Sequence, residues 1–282
     1  MALSGRLALV TGGSSGIGEA VCHALAAEGA TVVAANRNVE AARKVVESLP
    51  GDVKHLALHV DVGDSSSVEK LFDNIRSAST LPLSIVVNSA AIYCQSLLTD
   101  TTDELFDDII RVNLKGTFLV TRAASHEMIR SKKALPEGGA TIVNIASIVA
   151  KGGWANIGAY SASKAGVVAL TKTAAQELAD HGIRCNVVLP GYTETPMAQV
   201  ASEEYRAKLL AVTPLKRVAE PREIAEAVRF LCLPSASSFV TGARPGSHWR
   251  TVHVIDAQEN RRSSNKINKA YAVGYWGSRE GK

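Results

Sequence analysis

Tyr160 and Lys164 stand four residues apart in the run Tyr160-Ser161-Ala162-Ser163-Lys164, thirteen residues after Ser147, which follows the apolar stretch 141–146. On a helix such a pair shares a face about one turn apart. An ammonium beside a phenol favours the ionised phenol, and a phenol tuned in this way passes protons near neutral pH. Each residue alone has a plainer reading: Ser147 as a helix cap or turn, Lys164 as a solvated charge, Asn113 as a helix residue bonding backbone. Chemistry requires that other elements bring them together.

Those elements are legible. Residues 7–10 (Leu-Ala-Leu-Val) form an apolar run followed at once by Thr11-Gly12-Gly13-Ser14-Ser15-Gly16-Ile17-Gly18, then by Ala20, Val21, Ala24 and Leu25 at helical spacing. This reads as strand, glycine turn and helix, a setting in which backbone N–H groups and a helix N-terminus approach a pyrophosphate. Further apolar runs at 31–35, 55–60, 83–87, 141–146 and 183–189 alternate with helical patterns at 39–49, 65–78, 103–130, 158–180 and 220–233. The expected fold class is α/β: a doubly wound parallel sheet of the Rossmann type with helices on both faces, in one domain spanning 1–243. In such a sheet ligands bind beyond the carboxyl ends of the strands. Distinctive polar residues fall there: Gly12 to Gly18, Asn36-Arg37, Asp61-Val62, Asn88-Ser89-Ala90-Ala91, Ser147 and Pro190-Gly191.

Composition sets bounds. At 282 residues, 46% hydrophobic and 21% charged, the chain can bury a large core. No stretch approaches the roughly 20 apolar residues needed to span a bilayer. Cys22, Cys94, Cys185 and Cys232 are far apart, and the seven His residues are scattered, so neither a disulfide framework nor a metal site is expected. Met1 to Arg6 lead directly into the first strand, which predicts no secretory leader and an intracellular protein.

T-G-x-x-x-G-x-G at 11–18, the Asn88-Ser89-Ala90-Ala91 segment, Asn113 in Val112-Asn113-Leu114, Ser147, the Tyr160/Lys164 pair and Pro190-Gly191 together resemble the short-chain dehydrogenase/reductase family. Within it the chain is similar to 3-oxoacyl-acyl-carrier-protein reductases and to their animal relatives among the 17β-hydroxysteroid dehydrogenases. The resemblance covers residues 3 to about 243. It implies an NAD(P)-dependent oxidoreductase that interconverts a ketone and a secondary alcohol, with a 3-oxoacyl thioester on coenzyme A or acyl-carrier protein as the favoured substrate and a steroid or other small carbonyl as the alternative. It also implies roles. Tyr160 is the general acid or base, Lys164 lowers the pKa of Tyr160 and binds the nicotinamide ribose, and Ser147 holds the substrate oxygen. Asn113 keeps its helix bent and links Lys164 to solvent through water. Gly12, Ser14, Ser15, Gly16, Ile17, Gly18, Asn36, Arg37, Asp61, Val62, Asn88, Ala90, Pro190, Gly191 and Thr193 bind the dinucleotide, with Thr193 at the carboxamide.

Two departures from the family pattern carry expectations. Ala91 replaces the usual glycine, so a methyl group is expected near the cofactor ribose, strained if its φ is positive. At the end of the second strand, where an acidic residue would select NAD, the chain has Asn36-Arg37, which favours NADP over NAD because a guanidinium fork pairs with a 2′-phosphate. Ser15 points the other way, since NADP-using relatives often carry a basic residue there. Residues 192–215, with Met197, Val200 and Leu210, read as a lid over the site.

Past Ala243 the family's last strand is expected to be missing. Residues 244–282 hold eight Lys or Arg against three Asp or Glu, net +5, so the whole-chain +4 leaves −1 for 1–243. This divergent basic tail reads as largely disordered, with 251–255 as a substitute edge strand, grafted by altered splicing or a frame shift onto an intact core. Its loss of the closing strand puts the family's homo- or hetero-tetramer in doubt. Nucleic-acid and membrane partners are not expected, since the tail's charge is modest and lacks interleaved aromatic residues. A non-catalytic dinucleotide-binding subunit is the rival of another class. The expected compartment is the cytosol or the mitochondrial matrix.

Overall fold

The computed structural model describes residues 1–130, 134–200 and 203–243. The expectations for the tail lie outside the described residues. In chain order the elements that build the site are β1 (Leu7–Thr11), α1 (Gly16–Ala27), β2 (Thr31–Asn36), α2 (Val39–Ser48), β3 (Leu56–His59), α3 (Ser65–Ala78), β4 (Leu83–Asn88), α4 (Asp103–Ile109), α5 (Gly116–Arg130), β5 (Ala140–Ile145), α6 (Gly158–Glu177), β6 (Ile183–Val188), α7 (Glu203–Val212) and α8 (Pro221–Cys232). No helix among the described residues is long and apolar enough to cross a membrane.

The six strands form one parallel sheet in the order β3-β2-β1-β4-β5-β6. Successive strand residues point to opposite faces. Leu7 and Leu9 enter one core with α3, α5 and the end of α6, whereas Ala8 and Val10 enter the other with α1, α2 and α8. Burial on both faces explains the continuous apolar runs in place of alternation. Strand order reverses between β1 and β4, so a crevice opens beyond the carboxyl ends of these two strands.

The expected helix over 103–130 is interrupted. Residues Ile110–Lys115 form a π-helical segment between α4 and α5, in which Asn113 turns inward and its carbonyl accepts a bond from Thr117 Oγ1 at 2.7 Å. Such a bulge usually marks a place where a side chain must be aimed. After β6, residues 240–243 lie along the strand's outer edge: Gly242 N–H donates to Cys185 O at 2.8 Å and Val187 N–H to Ala243 O at 3.0 Å. Backbone pairing along this edge therefore continues as far as Ala243.

The expected strand over 55–60 starts one residue late because His55 serves as a side-chain partner. Its Nδ1 accepts from Val32 N–H at 3.0 Å and its Nε2 faces Pro50 O at 3.3 Å. This requires neutral imidazole with the hydrogen on Nε2, and burial holds the His55 pKa below its ordinary value. A depressed folded-state pKa means that the unfolded chain takes up its proton first as pH falls. The associated stability is complete above about pH 6.5 and declines below it, by at most about 1.4 kcal/mol per pH unit. Urea midpoints measured from pH 7.5 to 5 should fall in the parent and fall less in His55→Gln; parallel curves would exclude the assignment.

Candidate active site

The crevice at the switch point encloses about 320 Å³. At one end lie Gly12, Ser15, Gly16 and Ile17. Gly12 (φ 67°) and Gly16 (φ 54°) occupy the left-handed region, and a Cβ on Gly12 would stand 2.7 Å from Ala90 N. Ser15, at the N-cap of α1, makes no side-chain capping bond. The first N–H groups of α1 therefore face the crevice uncapped, as a pyrophosphate requires. Gly18 serves packing, since a Cβ there would meet Gly12 O at 2.1 Å. Neither Ser14 nor Gly18 lines the cavity.

Asn36, Arg37, Asp61, Val62, Ala90, Pro190, Gly191 and Thr193 also line the crevice. Asn36 Oδ1 accepts from Asn38 N–H at 2.9 Å, which shapes the turn before α2 and leaves Arg37 exposed. Asp61 is held by Gly63 N–H at 2.9 Å and by Arg111 at 3.6 Å. Thr193 is buried and donates from Oγ1 to Gly191 O at 3.1 Å.

Asn88 differs from expectation. Its side chain is buried and its Nδ2 donates to Asn144 Oδ1 at 2.8 Å and Thr121 Oγ1 at 3.1 Å, tying β4 to β5 and α5. It supports the sheet and does not line the crevice; the loop that follows, Ser89 to Tyr93, does. The strain allowed for at Ala91 is absent. Among the described residues only Asn156 and Lys216 have positive φ without being glycine.

Ser147, Tyr160 and Lys164 all line the same crevice. Ser147 caps a short 3-10 turn, its Oγ accepting from Val149 N–H at 3.4 Å, so the capping role coexists with exposure to the cavity. Tyr160 and Lys164 sit one turn apart at the start of α6, with Lys164 Nζ 5.7 Å from the Tyr160 ring centroid. Lys164 is buried and Nζ donates to Ile145 O at 2.9 Å. Burial pushes its pKa down to about 8. At pH 7 the ammonium form still dominates about tenfold.

Asn113 does not line the crevice. Its amide forms two bonds with the backbone of Ile92, accepting from N–H at 2.8 Å and donating to O at 2.9 Å, and a third to Ser163 Oγ at 3.2 Å. Ser163 Oγ in turn donates to Tyr160 O at 2.7 Å. This chain of bonds fastens the β4 loop to the first turn of α6. Sequence reasoning missed Tyr93, which lines the crevice and packs edge-on against Tyr160 with ring centroids 5.1 Å apart. The signal was an aromatic residue two positions after the strand-end motif.

A glycine turn of the kind that suits a dinucleotide, sharing one crevice with a Ser, Tyr and Lys constellation, is the arrangement of a dinucleotide-dependent oxidoreductase that acts on a carbonyl or alcohol. A family profile described as Enoyl-(Acyl carrier protein) reductase matches residues 12–244. The chain is 43% identical to (3R)-3-hydroxyacyl-CoA dehydrogenase of Rattus norvegicus over 251 residues, which cover 86% of this chain and 94% of that one. It is 38% identical to the 3-oxoacyl-acyl-carrier-protein reductase of Thermotoga maritima, over 86% of this chain and 96% of that one. Among solved structures, a dehydrogenase/reductase from Sinorhizobium meliloti superposes with a TM-score of 0.78 at 35% identity, over 86% and 94% of the two chains. A short-chain type dehydrogenase/reductase from Mycobacterium marinum does so with 0.80 at 32%, over 88% and 96%. The chain belongs to the short-chain dehydrogenase/reductase family.

Proposed function

We propose that the protein interconverts a 3-oxoacyl thioester and its 3-hydroxyacyl counterpart, with the acyl group on coenzyme A or acyl-carrier protein and NADP as the dinucleotide. The observation that carries this reading is the convergence of Ser147, Tyr160 and Lys164 on a crevice that an uncapped glycine turn also lines. The 3-hydroxyacyl and 3-oxoacyl activities in the names of the relatives above support the substrate class. None of those names refers to a steroid.

A nicotinamide held by the glycine turn, Pro190, Gly191 and Thr193 would supply the hydride chemistry at the carbonyl carbon. In the reducing direction the Tyr160 hydroxyl donates a proton to the ketone oxygen as negative charge develops there. Ser147 Oγ–H donates a second hydrogen bond to the same oxygen, holding it beside the phenol. The Lys164 ammonium stabilises the phenolate left behind and is itself held by Ile145 O. In oxidation the steps reverse, with Tyr160 Oη taking the alcohol proton. Ile92, Ile148, Val149, Ile157 and Met197 give the crevice an apolar lining that suits an acyl chain.

Arg37 supports NADP. It lines the crevice at the end of β2, where the 2′ substituent of the adenosine ribose lies in this family, and no ion pair holds it among the described residues. Reduction of acetoacetyl-coenzyme A should show a higher kcat/KM with NADPH than with NADH, and Arg37→Asp should shift that ratio toward NADH by about tenfold or more. A parental preference for NADH would remove NADP from the assignment, and failure to reduce the thioester with either dinucleotide would remove the substrate class.

A further inference from the structure

The loop after β4 is fastened at two points and between them brings Tyr93 against the Tyr160 ring. At its near end Asn113 bonds both Ile92 N–H and Ile92 O. At its far end Ser96 N–H donates to Asn156 O at 2.8 Å, and Ser96 pairs with Ile157 in an isolated parallel bridge. Asn156 holds a left-handed φ of 67°, which asparagine tolerates better than other non-glycine residues and which turns its carbonyl into this anchor. Between these anchors stands Tyr93. Its ring meets the Tyr160 ring at 85° with centroids 5.1 Å apart, and its Oη accepts from Gln95 Nε2 at 2.8 Å. Tyr160 is thus contacted by Tyr93 as well as by the Lys164 ammonium.

We propose that Tyr93 is a positioning and specificity residue for the reaction: its ring fixes the orientation of the catalytic Tyr160 ring and walls the substrate end of the crevice against bulky ketones. The role needs the ring and not the hydroxyl, because the Tyr93 oxygen is engaged by Gln95 while the contact with Tyr160 is made between the rings. An edge-to-face pair stabilises one relative orientation by up to about 1.5 kcal/mol, which is about tenfold in population of that orientation. Without it the phenol samples orientations from which the proton does not reach the substrate oxygen, and misplacement of a reacting group lowers kcat while leaving dinucleotide affinity intact. The wall has a separate consequence. Tyr93 shares the crevice with Ile92, Ile157 and Met197, and an aromatic ring added to these side chains takes up room that a substituted ring needs and a linear 3-oxoacyl chain does not.

The inference rests on the proposed oxidoreductase reading, and the test separates the two. Tyr93→Phe, Tyr93→Leu and Tyr93→Ala are assayed in the full chain with acetoacetyl-coenzyme A and with ethyl 2-oxocyclohexanecarboxylate, a ring 3-oxo ester. Tyr93→Phe should keep kcat within about threefold, whereas Leu and Ala should each lower it by about tenfold with the KM for NADPH unchanged. Tyr93→Ala should also reduce the preference for the linear substrate over the ring ester by about tenfold. Leu is included because it keeps the bulk if Ala loses the fold. Parental kcat in Leu and Ala, or a Phe variant as slow as Ala, overturns the positioning role, and an unchanged preference overturns the wall. If the parent reduces the ring ester but not the thioester, the substrate class proposed above fails while the Phe-against-Leu comparison on the ring ester still decides Tyr93.

Discussion

Tyr160→Phe should lower turnover by about 10²–10⁴-fold while fold and dinucleotide affinity stay as they are. The substitution removes one oxygen. It leaves the ring that packs against Tyr93 and Lys164, and it touches none of the bonds from Asn113 and Ser163 that set the first turn of α6. Two measurements belong together: kcat with acetoacetyl-coenzyme A, and quenching of intrinsic fluorescence by NADPH. Loss of the first with retention of the second locates the defect in proton transfer. Turnover within about fivefold of the parent would mean that the proton comes from elsewhere, and the roles given to Lys164 and Ser147 would fall with it. The same variant separates catalysis from the rival role as a dinucleotide-binding subunit. A protein that works by binding alone retains its cellular function when this oxygen is removed.

Why the site could be read before the fold was seen follows from where its residues lie. Glycine turns, strand-end polar residues and the Tyr160/Lys164 pair are local patterns: each sits within a few residues of an element boundary, and the topology of a doubly wound sheet brings such boundaries to one edge. The strands were legible for the same reason, since burial on both faces writes them as unbroken apolar runs. What sequence could not show depends on side-chain direction. Asn88 stands at the end of β4 among cofactor-facing neighbours, yet the period-2 alternation of the strand turns its amide toward Asn144 and Thr121. The π segment at Ile110–Lys115 keeps a helical apolar pattern, so its extra residue leaves no trace in periodicity, and only the inward Asn113 reveals it. Tyr93 escaped because its function comes from a ring contact across 67 positions of chain.

Ala91 makes the complementary point. The usual residue there is glycine, yet the backbone keeps an ordinary negative φ, so the methyl group is tolerated without strain. The two bonds that Asn113 makes to Ile92 hold the next residue of this loop, so the loop backbone is positioned from the π segment rather than by glycine at 91.

Lys164→Met should abolish useful turnover and at the same time make the protein more stable at neutral pH. The activity loss, about 10²-fold or more, follows from removing the cation that lies against the Tyr160 ring. The stability gain follows from burial. Lys164 has an ordinary pKa of 10.5 and is held down to about 8 in the fold, so the folded state disfavours its proton. The cost is fully present below about pH 8 and disappears above about 10.5, where folded and unfolded chains both carry the neutral amine. The shift corresponds to roughly 3 kcal/mol, and the lost bond from Nζ to Ile145 O offsets about 2 kcal/mol of it, leaving a net gain on the order of 1 kcal/mol for the apolar Met side chain. Urea midpoints at pH 7 should therefore be higher for Lys164→Met than for the parent, and the gap should close as pH rises toward 10, where the parent gains stability and the variant does not. A variant less stable than the parent at pH 7 would show that the Ile145 bond outweighs desolvation, and that the ammonium is held in the site by the fold rather than against it. The expected result identifies Lys164 as a residue kept for chemistry at the expense of stability, the mark of a working site.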